Sequence, residues 1–393
     1  MTMSKLEGAD IVCFSNDWDG DPLSKTHLMR LAARNNRVLW VNSIGNRAPK
    51  ATSRDLQRIG RKLMQAFGGL REVEKNIHVL APLAVPIYDQ RWAREVNGHA
   101  LAAQVRWAMN RLGMKNPITI SFLPGAAPAF DRIDAKVRIY YCVDEFSAFE
   151  GAGNAIAELE RELISKSDLV ICSAEKLVQS KRRMHPNVKL VRHGVDLDHF
   201  SRTLDPSLKV SELVRDLPKP VFAFMGLVED WVDLELLGEI AARYKDGTLL
   251  IIGRENCDTT ALRMHPNVVF LGRRPYSELP SILKGVDIGL VTFRDNELTR
   301  AANPLKVREY IAAGLPVVST PIPEVEKLGI CEIARGGDAF IHAIERVLAA
   351  GAGPSVERSR TMQSESWESR WEEVSGLIVE RMGGRQGPSR RSA

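Results

Sequence analysis

A chain of 393 residues with 44% hydrophobic and 26% charged side chains is a globular sequence too long for one ordinary core, and a typical domain size of about 150 residues points to two domains. The net charge of +5 is modest, but residues 47–115 carry 13 basic against 5 acidic side chains, which suits an anionic partner such as phosphate, lipid headgroup or nucleic acid. The five scattered cysteines exclude a zinc framework or disulfide scaffold. With no apolar run of about 18 residues and no signal-peptide pattern, a reducing cytoplasm is the expected compartment.

In chain order, "DIVCFS" (10–15), "RVLWVN" (37–42), "PITISFL" (117–123), "VRIYYCV" (137–143), "DLVICS" (168–173) and "VKLVRH" (188–193) are short apolar runs separated by helical patterns. Runs of this kind read as parallel strands buried on both faces. The rhythm stops at the polar, Pro-bearing segment 201–220 and restarts with "VFAFMG" (221–226), "GTLLIIG" (247–253), "NVVFLG" (267–272), "DIGLVTF" (287–293) and "LPVVST" (315–320). The expected class is therefore α/β, with two Rossmann-like, doubly wound parallel-sheet domains facing a cleft. Their expected extents are 1–204 and 220–360, joined by a linker over 205–219. A helix over 361–382, with Trp367, Trp371 and Leu377 or Ile378 on one face, packs on a core and is long enough to cross back to the first domain. Residues 383–393 form a polar tail.

In such sheets ligands gather at the carboxyl ends of strands. After the first strand, "NDWDGDPLSKTHLMRLA" places Ser24, Lys25 and His27 around a helix start, where they can touch phosphate or an acceptor. The acidic run 17–21 reads as a polar loop rather than a cation site. "YYCVDEFSAF" ends a strand with Asp144 and Glu145. A carboxylate there can take a proton from an acceptor hydroxyl, and Asp144 is the candidate base; a helix cap is the plainer alternative. In 52–70, Leu56, Ile59, Leu63, Phe67 and Leu70 recur at helical period beside Arg54, Arg58, Arg61 and Lys62. That pattern fits a helix covering the sheet or a peripheral contact with an anionic membrane.

The segment "NPLKVREYIAAGLPVVST" (303–320) starts a helix over 304–313 with Pro304 at its first position, and Gly314 turns the chain into the next strand. The helix N-terminus and Lys306 favour a phosphate, while Glu309, one turn on, suits a ribose diol. An i,i+3 surface ion pair fits the same spacing.

This segment resembles the donor-site motif of the large retaining group of GT-B glycosyltransferases often called glycosyltransferase family 4. Residues 167–200 and 221–237 resemble the hinge approach and the first βα unit of the donor domain. The combination of "DEFSAF", "DWVDLELL" and "NPLKVREY" is similar to a bacterial subgroup of surface-polysaccharide and teichuronic-acid-type enzymes. The resemblance implies transfer of a sugar from a nucleotide-diphosphate sugar, UDP-linked by preference, to a saccharide or lipid-linked saccharide acceptor. Retention of configuration, no metal, no cofactor and no nucleic-acid partner are implied, with work at the inner face of the plasma membrane. Glu309 matches the second Glu of the family's E-x7-E motif; the first falls on Ala301, and Glu297 is the substitute candidate. The family's diphosphate-binding Arg and Lys are absent after Gly226, leaving Lys306 as the replacement, with Arg254, Arg273 and Asn303 in support. A nucleotide-sugar epimerase of the same fold, or an inactive relative that binds membrane or anions, are the alternatives.

Overall fold

β-Branched and aromatic residues dominate the short runs, and burial on both faces turns them into parallel strands. The computed structural model describes residues 5–43, 69–84, 90–149 and 154–383. It divides into two compact units, Met1–Arg192 with Arg370–Ala393, and His193–Ser369.

In the first unit the strands are β1 (Asp10–Ser15), β2 (Arg37–Asn42), β3 (Leu70–Glu74), β4 (Ile77–Leu80), β5 (Ile118–Ser121), β6 (Val137–Cys142), β7 (Leu169–Cys172) and β8 (Val188–Leu190). Their order is β3-β4-β2-β1-β5-β6-β7-β8. All neighbours run parallel except β3 and β4. Trp40, Phe122, Phe130, Tyr140 and Tyr141 fill the core and are almost wholly buried. The β3–β4 hairpin was not expected from the sequence. Its tight turn uses Asn76 at φ 64°, a conformation asparagine tolerates better than most residues. Leu70 opens this hairpin and does not continue a helical stripe; the remainder of the amphipathic segment proposed for 52–70, up to 68, lies outside the described residues. The exposed Arg71 and Glu72 on β3 give this edge strand charges that discourage pairing with another chain.

The second unit holds β9 (Val221–Met225), β10 (Thr248–Ile252), β11 (Val268–Gly272), β12 (Ile288–Val291), β13 (Val317–Ser319) and β14 (Glu332–Ile333), all parallel, in the order β11-β10-β9-β12-β13-β14. The helix after β12 runs Leu305–Ala312. Pro304 precedes it with extended backbone (ψ 120°) rather than opening it, so the expected first position belongs to Leu305. Tyr310 locks this helix to the sheet: its hydroxyl accepts from Met225 N at 2.6 Å and donates to Ala223 O at 2.9 Å. The ring lies against Gly289, where a Cβ would come within 2.6 Å of it. Tyr310→Phe is expected to leave buried Met225 N–H unpaired and cost about 1–3 kcal/mol in urea unfolding.

The helix Trp367–Gly383 buries Trp367, Val374, Ser375 and Ile378 on one face. From Arg370 onward it belongs to the first unit, where Ser375 Oγ accepts from Leu6 N at 2.8 Å.

Candidate functional site

The second sheet reverses its winding between β9 and β12, which makes the crevice outside the carboxyl ends of those strands its natural ligand position. Gly226 leaves β9 there, and Thr292 and Phe293 leave β12. The helix Leu305–Ala312 delivers Lys306 to the same point. Its Nζ stands 3.9 Å from the Phe224 ring centroid and 4.9 Å from that of Phe293, a cation held over two aromatic faces. Gly226 makes room for it: at φ 129° a side chain is strained, and a Cβ would sit 2.8 Å from Nζ.

Glu309 follows one turn later, half-buried like Lys306. Burial, aided by Asp196, pushes the Glu309 carboxyl up to about 7 against the pull of Lys306. Burial also brings the Lys306 ammonium down to about 7, against the pull of Glu309. No salt bridge joins the two among the described residues, so the surface ion pair allowed by their spacing is not formed. They stand as two partly desolvated groups of opposite charge type, each poised near neutrality.

The walls of this site draw on the segment 193–196. Asp196 caps the helix Leu197–Ser201, its carboxylate accepting from His199 N at 3.1 Å. Val195 N donates to Glu365 O at 2.9 Å. The Glu365 carboxylate accepts from the fully buried Arg308 Nε at 3.0 Å, and Arg308 Nη1 donates to Asn303 Oδ1 at 2.7 Å. Asn303 is thus buried, with its amide oxygen engaged by Arg308. Neither Asp196 nor Arg308 stood out in the sequence, although an Asp before a short helical pattern in "HGVDLDHF" is a cap signal. The Thr292 hydroxyl, buried at the end of β12, has no hydrogen-bond partner among the described residues.

The remaining donor-side candidates disperse. Arg254 follows β10 and Arg273 follows β11, both exposed. They lie one and two strands from β9, roughly 5 and 10 Å along the sheet edge. Glu297 is exposed in the first turn of a short helix, Glu297–Arg300, whose start is capped reciprocally by Asn296 and Thr299, while Ala301 is buried.

In the first sheet the reversal lies between β1 and β5. Lys25, buried in the first turn of the helix Ser24–Ala33, donates through Nζ to Asn16 Oδ1 just past β1. Its charge reaches Asp144 beyond β6. Burial raises the Asp144 carboxyl above the usual carboxylate range, Lys25 opposing. Burial lowers Lys25 to about 8, Asp144 and Cys13 opposing. Ser24 is buried at the first helical position, and His27 is half-buried on the same turn. Beside them a small recess is lined by Phe14, Ser15, Asn42 and Leu123; the Ser15 hydroxyl and the Asn42 Nδ2 are buried there without partners among the described residues.

Asp144 and Glu145, adjacent in sequence, part company. Glu145 turns inward, its Oε1 meeting Lys181 Nζ at 2.8 Å and Ser147 Oγ at 2.9 Å. Lys181 also reaches Glu160 Oε2 at 3.0 Å, and Tyr140 donates to Glu160 Oε1 at 2.7 Å. Glu145 is therefore an internal anchor for the loop that carries Asp144, not a carboxylate presented with it. Among the described residues no group of three or more His, Cys, Asp or Glu side chains could hold a metal ion, and no helix is long and apolar enough to cross a membrane.

Two Rossmann-like units of parallel sheet, the second with a cation and a carboxyl at its switch point, define the GT-B class of fold. Residues 219–350 match the family described as Glycosyl transferases group 1. The chain is 27% identical over 249 residues to TuaH of Bacillus subtilis (strain 168), named for a glycosyltransferase of teichuronic acid biosynthesis; the match takes in 56% of this chain and 61% of that relative's length. Among solved structures, sucrose-phosphate synthase of Thermosynechococcus elongatus aligns over 96% of this chain and 100% of its own, with a TM-score of 0.69 and 14% identity. Anabaena Alr3699/HepE, in complex with UDP and glucose, aligns over 95% and 97%, with a TM-score of 0.56 and 13% identity. At such identities these structures establish the shared fold.

Proposed function

We propose that this chain is a glycosyltransferase that moves a sugar from a nucleotide-diphosphate sugar, a UDP-sugar by preference, to a saccharide or lipid-linked saccharide acceptor in surface-polysaccharide assembly. The observation that carries the reading is the placement of Lys306 and Glu309 together at the switch point of the second sheet. TuaH's name and the UDP complex of the Anabaena protein support the substrate class.

In this reading Glu309 accepts hydrogen bonds from the ribose diol, and Lys306 faces the diphosphate. An incoming diphosphate raises the Lys306 pKa from its value near 7, so the ammonium is fully charged when the leaving group develops negative charge. Leaving-group stabilisation of this kind needs no metal ion, and family likeness favours retention of configuration. Asp144, whose carboxyl is held ready to accept a proton by burial and tempered by Lys25, orients or deprotonates the acceptor hydroxyl.

The test is a screen of UDP- and GDP-sugars for release of nucleoside diphosphate, with and without saccharide acceptors. Release from one donor class, stimulated by acceptor, is the expected result; no release from any would oppose the reading. Asp144→Asn is expected to lower kcat by roughly 100-fold while leaving nucleotide affinity unchanged.

A further inference from the structure

The helix Arg91–Leu112 of the first unit packs its Ala93, Asn97, Leu101, Val105 and Ala108 inward. Its opposite face mixes exposed apolar side chains with the polar His99 and Asn110. Trp92, Val96, Ala103 and Trp107 follow one another at helical spacing and are all exposed, Trp92 by 58% and Trp107 by 48%. Leu83, 54% exposed, is tied to the flank of this helix: Gln104 Oε1 accepts from Leu83 N at 2.8 Å, and Gln104 Nε2 donates to Leu83 O at 2.9 Å. The two tryptophans stand about 22 Å apart along the axis. Single exposed apolar residues are ordinary, but two tryptophans and a valine on one stripe are not.

Apart from the paired Glu95, the charges beside the stripe are of one sign. Arg91, Arg106 and Arg111 flank it, and Arg111 stacks its guanidinium over Trp107, 5.8 Å from the ring centroid. The helix's one carboxylate, Glu95, is paired with Arg132 at 2.6 Å, while Arg94 is paired with Glu158 at 3.1 Å. What remains is a row of tryptophan and aliphatic side chains rimmed by arginines. Indole rings prefer the headgroup level of a bilayer, and arginine stems lie along apolar surface while their heads meet phosphate.

We propose that this face docks on an anionic lipid bilayer, lying in the interface plane with Trp92 and Trp107 inserted and Arg91, Arg106 and Arg111 against the headgroup phosphates. The face shares no residue with the Lys306–Glu309 pair or with Asp144, and its binding does not depend on the reaction proposed for them. A second copy of the chain is the competing occupant, and the charge rim argues against it, because two such faces would bring like charges together.

The test is flotation of the full chain with vesicles of phosphatidylcholine containing 30% phosphatidylglycerol, taken as about the anionic content needed, and with pure phosphatidylcholine vesicles. Binding to the anionic vesicles, weakened by raised salt, and a loss of at least about tenfold in Trp92→Ser/Trp107→Ser is the expected result. Arg91→Gln/Arg111→Gln should lose roughly tenfold or more without changing the protein's unfolding midpoint, which keeps the test independent of any folding defect. Equal binding to both vesicle types, no binding, or full binding by the tryptophan variant would overturn the proposal. So would concentration-dependent dimerisation abolished by the same tryptophan substitutions, which would give the face to a second copy.

Discussion

Glu309→Gln is expected to weaken nucleotide binding by roughly ten- to a hundredfold, the loss that follows when a charged acceptor of two hydroxyl bonds becomes a neutral amide. The same substitution should change the shape of the pH dependence. In the free protein the Glu309 carboxyl titrates near 7, so below that pH it is protonated and a poorer acceptor for a diol. Lys306 also titrates near 7, and above that pH it loses the charge that faces the diphosphate. Affinity should therefore rise with pH through the Glu309 titration and fall through the Lys306 titration, giving a maximum near neutrality that belongs to the pair. Glu309→Gln removes the acid limb and leaves the basic one. Lys306→Met lowers affinity by about a hundredfold across the range and removes the basic limb. Nucleotide titrations between pH 5.5 and 9, taken as about the span the two groups cover, read both effects.

Lys181→Met is expected to cost about 3–5 kcal/mol. Lys181 is almost wholly buried, with Glu145 at 2.8 Å and Glu160 at 3.0 Å. Burial works against its charge, but Cys142, Glu160 and Glu145 outweigh it and hold the ammonium above the usual lysine value. Removing the cation strands two carboxylates in the interior with Tyr140, Ser147 and the weak donor Cys142 as the side-chain hydrogen-bond donors left to them among the described residues. Lys181→Met combined with Glu145→Gln and Glu160→Gln should recover much of the loss, since neutral polar groups can remain hydrogen-bonded at lower desolvation cost. Urea midpoints of the three forms decide it. A defect in Asp144 function that follows Lys181→Met would trace to the loop Glu145 anchors.

Most of the two-sheet architecture is legible in the sequence because "DIVCFS", "VRIYYC" and "TLLII" each hold several consecutive apolar residues instead of an alternating pattern, as strands covered on both faces do. Strands β3 and β4 escape notice for the opposite reason. "LREVE" alternates with charge at a sheet edge, and its first residue completes a helical period running in from upstream. Lys306 and Glu309 are legible as a pair from their spacing, but the neighbours that set their character are not. Phe224, Phe293, Gly226 and Asp196 arrive from three other segments, and only the winding of the sheet brings them together. Asp144 and Glu145 show the limit of local reading: adjacent carboxylates diverge because Lys181, far along the chain, claims one of them.

The most direct test of the central claim is a calorimetric titration of UDP, GDP and ADP into the full chain and into Lys306→Ala and Glu309→Ala. Binding of one nucleotide, UDP foremost, weakened by both substitutions while the unfolding midpoint is retained, is the expected result. No binding by any of the three, or binding that both variants retain unchanged, would contradict a donor grip at the switch point of the second sheet.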